Sequence, residues 1–255
     1  MKAGRSGAAW LAEERQRQVK FDDELTRARQ VFEAKAEDPA RAALYAPLRP
    51  AVLFTVQERD WKLAGMLRRA GLNSLAGLDI LDVGCGSGGE LRRMTVLGAE
   101  PARLAGIDLT ESRVEEARRA LPQSRFEVGS AHRLPFADAS FDIVSQFVVF
   151  SSIVDAGLRG EIAGEMARVL RPGGRIIWYE VHRARSTPDF VPIALDEVRR
   201  LFPGFAVTAR PITLRWKLNQ RLIWRSRSAG LVLERFPFLC DHYLALLERK
   251  SRTGT

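Results

Sequence analysis

The run Ile80-Leu81-Asp82-Val83-Gly84-Cys85-Gly86-Ser87-Gly88-Gly89 constrains the fold more than any other stretch of the chain. Residues that read as a buried strand pass directly into a glycine-rich turn that opens a helix. Without side chains at Gly84, Gly86 and Gly88 a ligand can approach the backbone closely, and amides exposed at a helix start favour anionic groups. The turn alone leaves more than one ligand class open. Gly84, Gly86 and Gly89 also satisfy the GxGxxG dinucleotide spacing, and Asp108, about twenty residues further on, suits ribose hydroxyls in either class. A P-loop is excluded because no Gly-Lys-Ser/Thr follows.

From Leu78 onward short apolar runs alternate with helical segments of ten or more residues: DILDVG and a helix to Leu97, RLAGIDL and a helix from Glu111 to Leu121, SRFEVGSA, FDIVSQFVVF, a helix from Arg159 to Leu170, and GRIIWYEV. Continuous apolar runs suit strands buried on both faces, and crossovers of this length suit parallel strands. The pattern predicts a Rossmann-like, doubly wound, mostly parallel α/β sheet. A short helix from Leu195 to Leu201, strands within FAVTARPITL, a basic helix from about Trp216 to Glu234 and a last strand carrying His242 complete it. Before the sheet, residues 8 to 37 contain no Gly or Pro and read as one or two charged helices. Proline at 39, 47 and 50 interrupts them, and a further helix is predicted from about Phe54 to Ala70, with Gly71 as its stop. The expected division is a helical cap over 1–72 and a sheet domain over 73–255, including a basic segment over 214–235.

With 255 residues, 46% of them hydrophobic and 28% charged, the chain is neither disordered nor fibrous. It shows no apolar run long enough to cross a bilayer and no leader pattern at its start. Two cysteines, Cys85 and Cys240, allow one disulfide at most, and Cys85 sits in the glycine turn; a reducing, cytoplasmic setting is expected. No His/Asp/Cys cluster has metal-ligand spacing. The net charge of +9 is local: residues 210 to 255 carry ten Lys or Arg against three acidic residues, which leaves +2 for the first 209.

Five ordered motifs narrow the ligand: Asp82-Val-Gly-Cys-Gly-Ser-Gly88, Gly106-Ile-Asp-Leu109, Gly129-Ser-Ala131 with Leu134-Pro-Phe136, Ser140-Phe-Asp-Ile-Val144, and Glu165-Met-Ala-Arg-Val-Leu-Arg-Pro-Gly-Gly174. Together they resemble the class I S-adenosylmethionine-dependent methyltransferases. Leu53-Phe-Thr-Val-Gln57-Glu58-Arg59, Val149-Phe-Ser-Ser-Ile153, Trp178-Tyr179-Glu180, Leu201-Phe-Pro-Gly204 and Asp241-His-Tyr-Leu244 further resemble a bacterial methyltransferase group often met in glycan and polysaccharide gene settings. The chain departs from that group at His182–Pro188 and Leu214–Leu218.

The resemblance implies that S-adenosylmethionine is the cofactor. It places the methionine part over Gly84, Cys85, Gly86 and Gly88, with Asp82 supporting the turn and the bound ammonium. Asp108 accepts both ribose hydroxyls, Leu109 packs on the adenine, and Ser130 and Ala131 meet the ring edge. Gln146 ends the fourth strand beside the cofactor, and Tyr45, Gln57 and Arg59 close over the methionine carboxylate. Methyl transfer needs in-line alignment and exclusion of water, and a hydroxyl acceptor also needs a base. Glu180 and His182, at a strand's carboxyl end, are the candidates for that catalytic role. Phe150, Ser151, Tyr179, His242 and Tyr243 are the expected acceptor lining, and His132 is expected on the surface.

The expected activity is O-methylation of a small-molecule or glycan-type acceptor. N- or C-methylation in natural-product or lipid biosynthesis, and a non-catalytic cofactor-binding scaffold, are the alternatives. The basic segment, with Trp216 and Trp224 among arginines, suits either a solvated face or an anionic, lipid-linked acceptor at a membrane surface. Nucleic acid is disfavoured, because Ser145-Gln-Phe-Val-Val149 stands where base-amino methyltransferases carry an Asp/Asn-Pro-Pro-aromatic run.

Overall fold

A computed structural model of the protein describes residues 7–250, with side chains from Glu13 onward. Strands β1 (Ile80–Val83), β2 (Leu104–Asp108), β3 (Arg125–Val128), β4 (Phe141–Phe147), β5 (Leu170–Val181), β6 (Phe205–Leu214) and β7 (Cys240–Arg249) form one sheet in the order β3-β2-β1-β4-β5-β7-β6. The first five strands are parallel, and β7 runs antiparallel between β5 and β6. Every residue of β1 and β2 is buried, as the continuous apolar runs require. The order reverses between β1 and β4, so the chain leaves their carboxyl ends in opposite directions and opens a crevice there.

Helices cover both faces. On one face α1 (Gly7–Glu37), α6 (Ala156–Val169) and α7 (Leu195–Leu201) bring Phe21, Ala28, Ile162 and Val198 against Leu81, Ile107 and Trp178. On the other, α3 (Pro50–Arg69), α4 (Gly89–Val96) and α5 (Glu111–Ala120) bring Leu63, Met66, Leu91 and Val114 against Ile80, Leu104 and Ile177. The helices before the sheet, α1 and α3, therefore divide between the two layers. α1 is pinned by Glu24, which accepts from the Val154 and Asp155 amides, and by Arg27, which donates to the Ser152 carbonyl at 2.8 Å and to Asp189 at 3.0 Å.

Local chemistry sets the helix ends. α2 (Pro39–Leu44) is capped by Asp38, whose side chain accepts from the Ala40 amide, and α6 by Asp155, which accepts from the Leu158 amide. Pro50 does not end a helix as the sequence suggested. It begins α3 at the first helical position, where a missing N–H costs nothing. The basic segment is not one helix but two, α8 (Trp216–Leu222) and α9 (Arg227–Leu233): Ser226, extended at φ −158°, accepts from the Ala229 amide and starts the second. The break lets Gly230 sit where a Cβ would lie 2.2 Å from Ile223.

Candidate functional site

The glycine turn between β1 and α4 is held by β2, since the Gly84 and Cys85 amides both donate to the Ile107 carbonyl, at 2.8 and 3.0 Å. Gly84, Gly86 and Gly88 have φ of 70°, 51° and 76°, a region where a Cβ is strained. Opposite the turn stands Asp108, at the carboxyl end of β2. Its two carboxylate oxygens accept from the Gly86 and Thr110 amides, each at 2.9 Å, so each oxygen keeps a further acceptor position. Arg113 lies 3.8 Å from the same carboxylate. Gly84, Asp108, Leu109, Ser130, Ala131 and Val149 line a cleft, and α1 closes it with Leu25, Ala28 and Phe32. The arrangement offers an acceptor pair for a vicinal diol, an apolar slot for a flat ring and a side-chain-free turn beside both.

A family model described as a methyltransferase domain matches residues 81–178, and the strand order and glycine-turn geometry agree with it. Residues 81–178 form a methyltransferase domain of that family. A magnesium protoporphyrin IX methyltransferase of Synechocystis, solved with S-adenosylmethionine bound, superposes with a TM-score of 0.62 at 16% identity, over 89% of this chain and 97% of that one. A protein of Pyrococcus horikoshii superposes with a TM-score of 0.59 at 18% identity, over 86% and 99%. In sequence the chain is 36% identical over 149 residues to a demethylmenaquinone methyltransferase of Beutenbergia cavernae, 55% of this chain and 53% of that protein. It is 38% identical over 121 residues to a 27-O-demethylrifamycin SV methyltransferase of Amycolatopsis mediterranei, 45% and 41%. It spans about half the length of these curated relatives.

The cofactor of the methyltransferase domain is S-adenosylmethionine, and the residues fit it: Asp108 suits the ribose diol, Leu109 and Ala131 the adenine. Asp82 is fully buried, accepts from Ser145 Oγ at 2.7 Å, and is pushed up to about 8 by burial, which the Ser145 hydrogen bond only partly offsets. The Cys85 side chain turns away from the cleft and fills the space that Gly106 leaves open, where a Cβ would lie 2.7 Å from its sulfur. Cys85 therefore shapes the turn from beneath. It and Cys240 are both free, buried thiols. Ser130 pairs with His132 Nδ1 at 2.7 Å. His132 is not a surface residue: it is partly buried with its ring edge-on to Phe21 of α1, and burial lowers its pKa.

The structure separates the three residues expected over the methionine carboxylate. Arg59 is buried, its guanidinium between the rings of Phe147 and Tyr179 at 5.0 Å from each and ion-paired with Glu90 of α4 at 2.5 Å. Tyr45 stacks on Trp216 at 5.0 Å, and Gln57 lines neither cleft described here. Gln146 is buried rather than open to the cleft. Its carbonyl oxygen accepts from the Val149 amide at 3.0 Å and its amide donates to the Tyr179 carbonyl at 3.3 Å, which holds the turn after β4.

A second cleft shares Phe32, Phe147 and Val148 with the first. Tyr179 and His242 form its floor, with their rings stacked at 4.8 Å, and Tyr45 and Trp216 form an aromatic wall. Lys35, Arg41 and Arg183 also line it. Burial, followed by the nearby Arg41 charge, lowers the Lys35 pKa. Tyr179 donates to or accepts from Thr213 at 2.8 Å, and burial raises its phenol pKa. His242 Nδ1 lies 2.6 Å from Asp241 Oδ1, while its Nε2 has no protein partner among the described residues.

The other expected acceptor and catalytic residues do not reach this cleft. Phe150 and Ser151 are fully buried, because Val148, at φ 59°, turns the chain out of β4 and packs Phe150 on Trp178 at 4.4 Å. Glu180 faces the α1 and α6 side of the sheet. Its oxygens accept from the Ser151 amide at 3.2 Å and the Val181 amide at 2.9 Å, and burial raises its pKa. His182 stacks on Tyr243 at 3.8 Å on that same side, with Nε2 buried and without a hydrogen-bond partner among the described residues, and burial lowers its pKa to about 4. The sequence reading missed α1 as a cleft wall, although Phe21, Leu25, Ala28 and Phe32 recur at helical spacing.

Proposed function

We propose that the protein transfers the methyl group of S-adenosylmethionine to a hydroxyl oxygen of a small or glycan-type acceptor. The observation that carries this reading is the His242–Asp241 pair on the floor of a cleft continuous with the cofactor cleft. S-adenosylmethionine, when bound, supplies an electrophilic methyl on a sulfonium. A hydroxyl must lose its proton as it attacks, and an imidazole whose Nδ1–H is held by a carboxylate presents Nε2 to take it. Phe32, Phe147 and Val148, shared by both clefts, keep water from the junction where the two reactants meet. The aromatic wall and the cationic Lys35, Arg41 and Arg183 favour an acceptor with an apolar or ring-shaped body and an anionic group.

The test uses methyl-labelled S-adenosylmethionine with a panel of phenols, sugar phosphates and hydroxy acids, followed by assignment of the methylated atom. The expected result is label on oxygen, with kcat falling about 10²- to 10⁴-fold in His242→Ala and S-adenosylhomocysteine affinity unchanged. Asp241→Asn is expected to fall in the same direction. Label on nitrogen or carbon refutes the oxygen assignment. Full activity in His242→Ala refutes the base.

A further inference from the structure

Segment 216–239, which contains α8 and α9, has six charged residues: five are basic and exposed, and the sixth, Glu234, is buried and paired with Lys62. Large apolar side chains stand among them uncovered. Trp224 is 76% exposed, Phe238 58% and Val232 56%, and Trp61 of α3, 78% exposed, lines one groove with Leu231, Val232 and Arg235. Exposed aliphatic and aromatic groups along one segment whose exposed charges are all basic, Arg227 being paired with the buried Glu58 at 3.5 Å, are a costly arrangement in water alone. The underside of the same segment is well ordered. Ile223 and Gly230 pack on Phe54, and Asn219 donates to the Ala51 carbonyl at 3.1 Å and to Thr55 at 2.8 Å.

We infer that this face docks on an anionic lipid bilayer, with Trp224, Val232 and Phe238 entering the headgroup boundary while the arginines meet lipid phosphates. Apolar residues interleaved with basic ones are what an interfacial surface needs. Charge complementarity selects this occupant over the others. A second copy of the chain in a two-fold contact would set five positive residues against the same five. A nucleic acid would leave Leu231 and Val232, which have no flat face for a base, against phosphates. No helix among the described residues is long and apolar enough to cross a membrane, so the association is peripheral. The face adjoins the acceptor cleft: Trp216 lines that cleft, and Arg183 on its wall donates to the Phe238 carbonyl at 2.8 Å. Docking therefore sets the cleft beside the bilayer.

The experiment is co-sedimentation of the full chain with vesicles of phosphatidylcholine alone and of equal parts phosphatidylcholine and phosphatidylglycerol. Wild type is expected to pellet with the anionic vesicles only. Each basic residue near an anionic surface strengthens partitioning by about fivefold, so Arg221→Ala with Arg225→Ala is expected to weaken it roughly twenty-five-fold. Trp224→Ser with Phe238→Ser is expected to weaken it further, with melting temperature and S-adenosylhomocysteine affinity retained. Quenching of wild-type tryptophan fluorescence by brominated lipid reads insertion without any variant. The proposal is overturned if wild type stays in the supernatant with anionic vesicles at low salt, or if neither double variant changes partitioning. It is equally overturned if brominated lipid leaves the fluorescence unchanged, if a DNA duplex binds in preference to the vesicles, or if wild type is a dimer that the Trp224→Ser/Phe238→Ser variant dissociates.

Discussion

Replacing Asp108 by asparagine separates the two tasks that its carboxylate performs. In the structure one oxygen accepts from the Gly86 amide and the other from the Thr110 amide, both at 2.9 Å, and the residue is 8% exposed, so water replaces neither bond. Each oxygen keeps one acceptor position for a ribose hydroxyl. An asparagine side chain retains one oxygen; its NH₂ can accept nothing and must face one backbone N–H and one ribose hydroxyl. One hydrogen bond from a ribose hydroxyl to a charged acceptor is lost, about 1.5–3 kcal/mol, which is roughly ten- to a hundred-fold in Kd. An orphaned backbone N–H costs about 1–3 kcal/mol of stability, and at this chain length each kcal/mol lowers Tm by about 2–4 °C. Calorimetric titration with S-adenosylhomocysteine gives the first quantity, and a melt without ligand gives the second. Affinity within threefold of wild type, together with a lowered Tm, would refute the diol role and leave Asp108 as a brace between two turns.

Two other outcomes follow from the geometry. Gly84→Ala forces a Cβ to 2.4 Å from Val149 Cγ2 at φ 70°, combining left-handed strain of about 1–2 kcal/mol with overpacking of about 1–3 kcal/mol. Thermal melts should show a loss of several degrees, whereas Gly160→Ala in α6, where a Cβ meets nothing within 4 Å, should leave Tm level or raise it. For His182 burial lowers the folded-state pKa to about 4, below its ordinary value of 6.5, so the unfolded chain binds the extra proton first. Its contribution to stability is complete above pH 6.5 and is lost as pH falls towards 4. His182→Phe keeps a ring against Tyr243 but cannot titrate, and should lose less Tm than wild type across that window; coincident profiles would remove His182 from the pH dependence.

The sheet was legible because its strands are continuous apolar runs punctuated by glycine, and the first cleft because Gly84 to Gly88, Asp108 and Ala131 lie at the carboxyl ends of those strands. The acceptor side was less legible, for physical reasons. Whether His182 or His242 faces the cleft depends on side-chain parity, which is set by the antiparallel pairing of Val181 with His242, a register fixed by strands sixty residues apart. The apolar run Phe147-Val-Val-Phe150 reads as unbroken strand, yet Val148 adopts a positive φ because Gln146 holds the turn from within the core. Ser226, a cap between α8 and α9, had its signal in the sequence: a serine among helix formers shortly before a glycine.

α1 carries a consequence for how the chain comes to be folded. Its stripe of Phe21, Leu25, Ala28 and Phe32 packs on residues from β2, β4 and α6, and its ties run to Ser152, Val154 and Asp189. During synthesis α1 emerges before the sheet it packs on, and its last tie, from Arg27 to Asp189, is made only after some 160 further residues have followed. Closing so long a loop is slow relative to forming the local strand–helix units. Although it is made before the sheet, α1 is therefore among the last elements to dock, and because it walls the first cleft, a cofactor bound there favours the docked form by mass action. Hydrogen exchange along α1 should accordingly report cofactor occupancy more sensitively than exchange in the strands that bear the cofactor contacts.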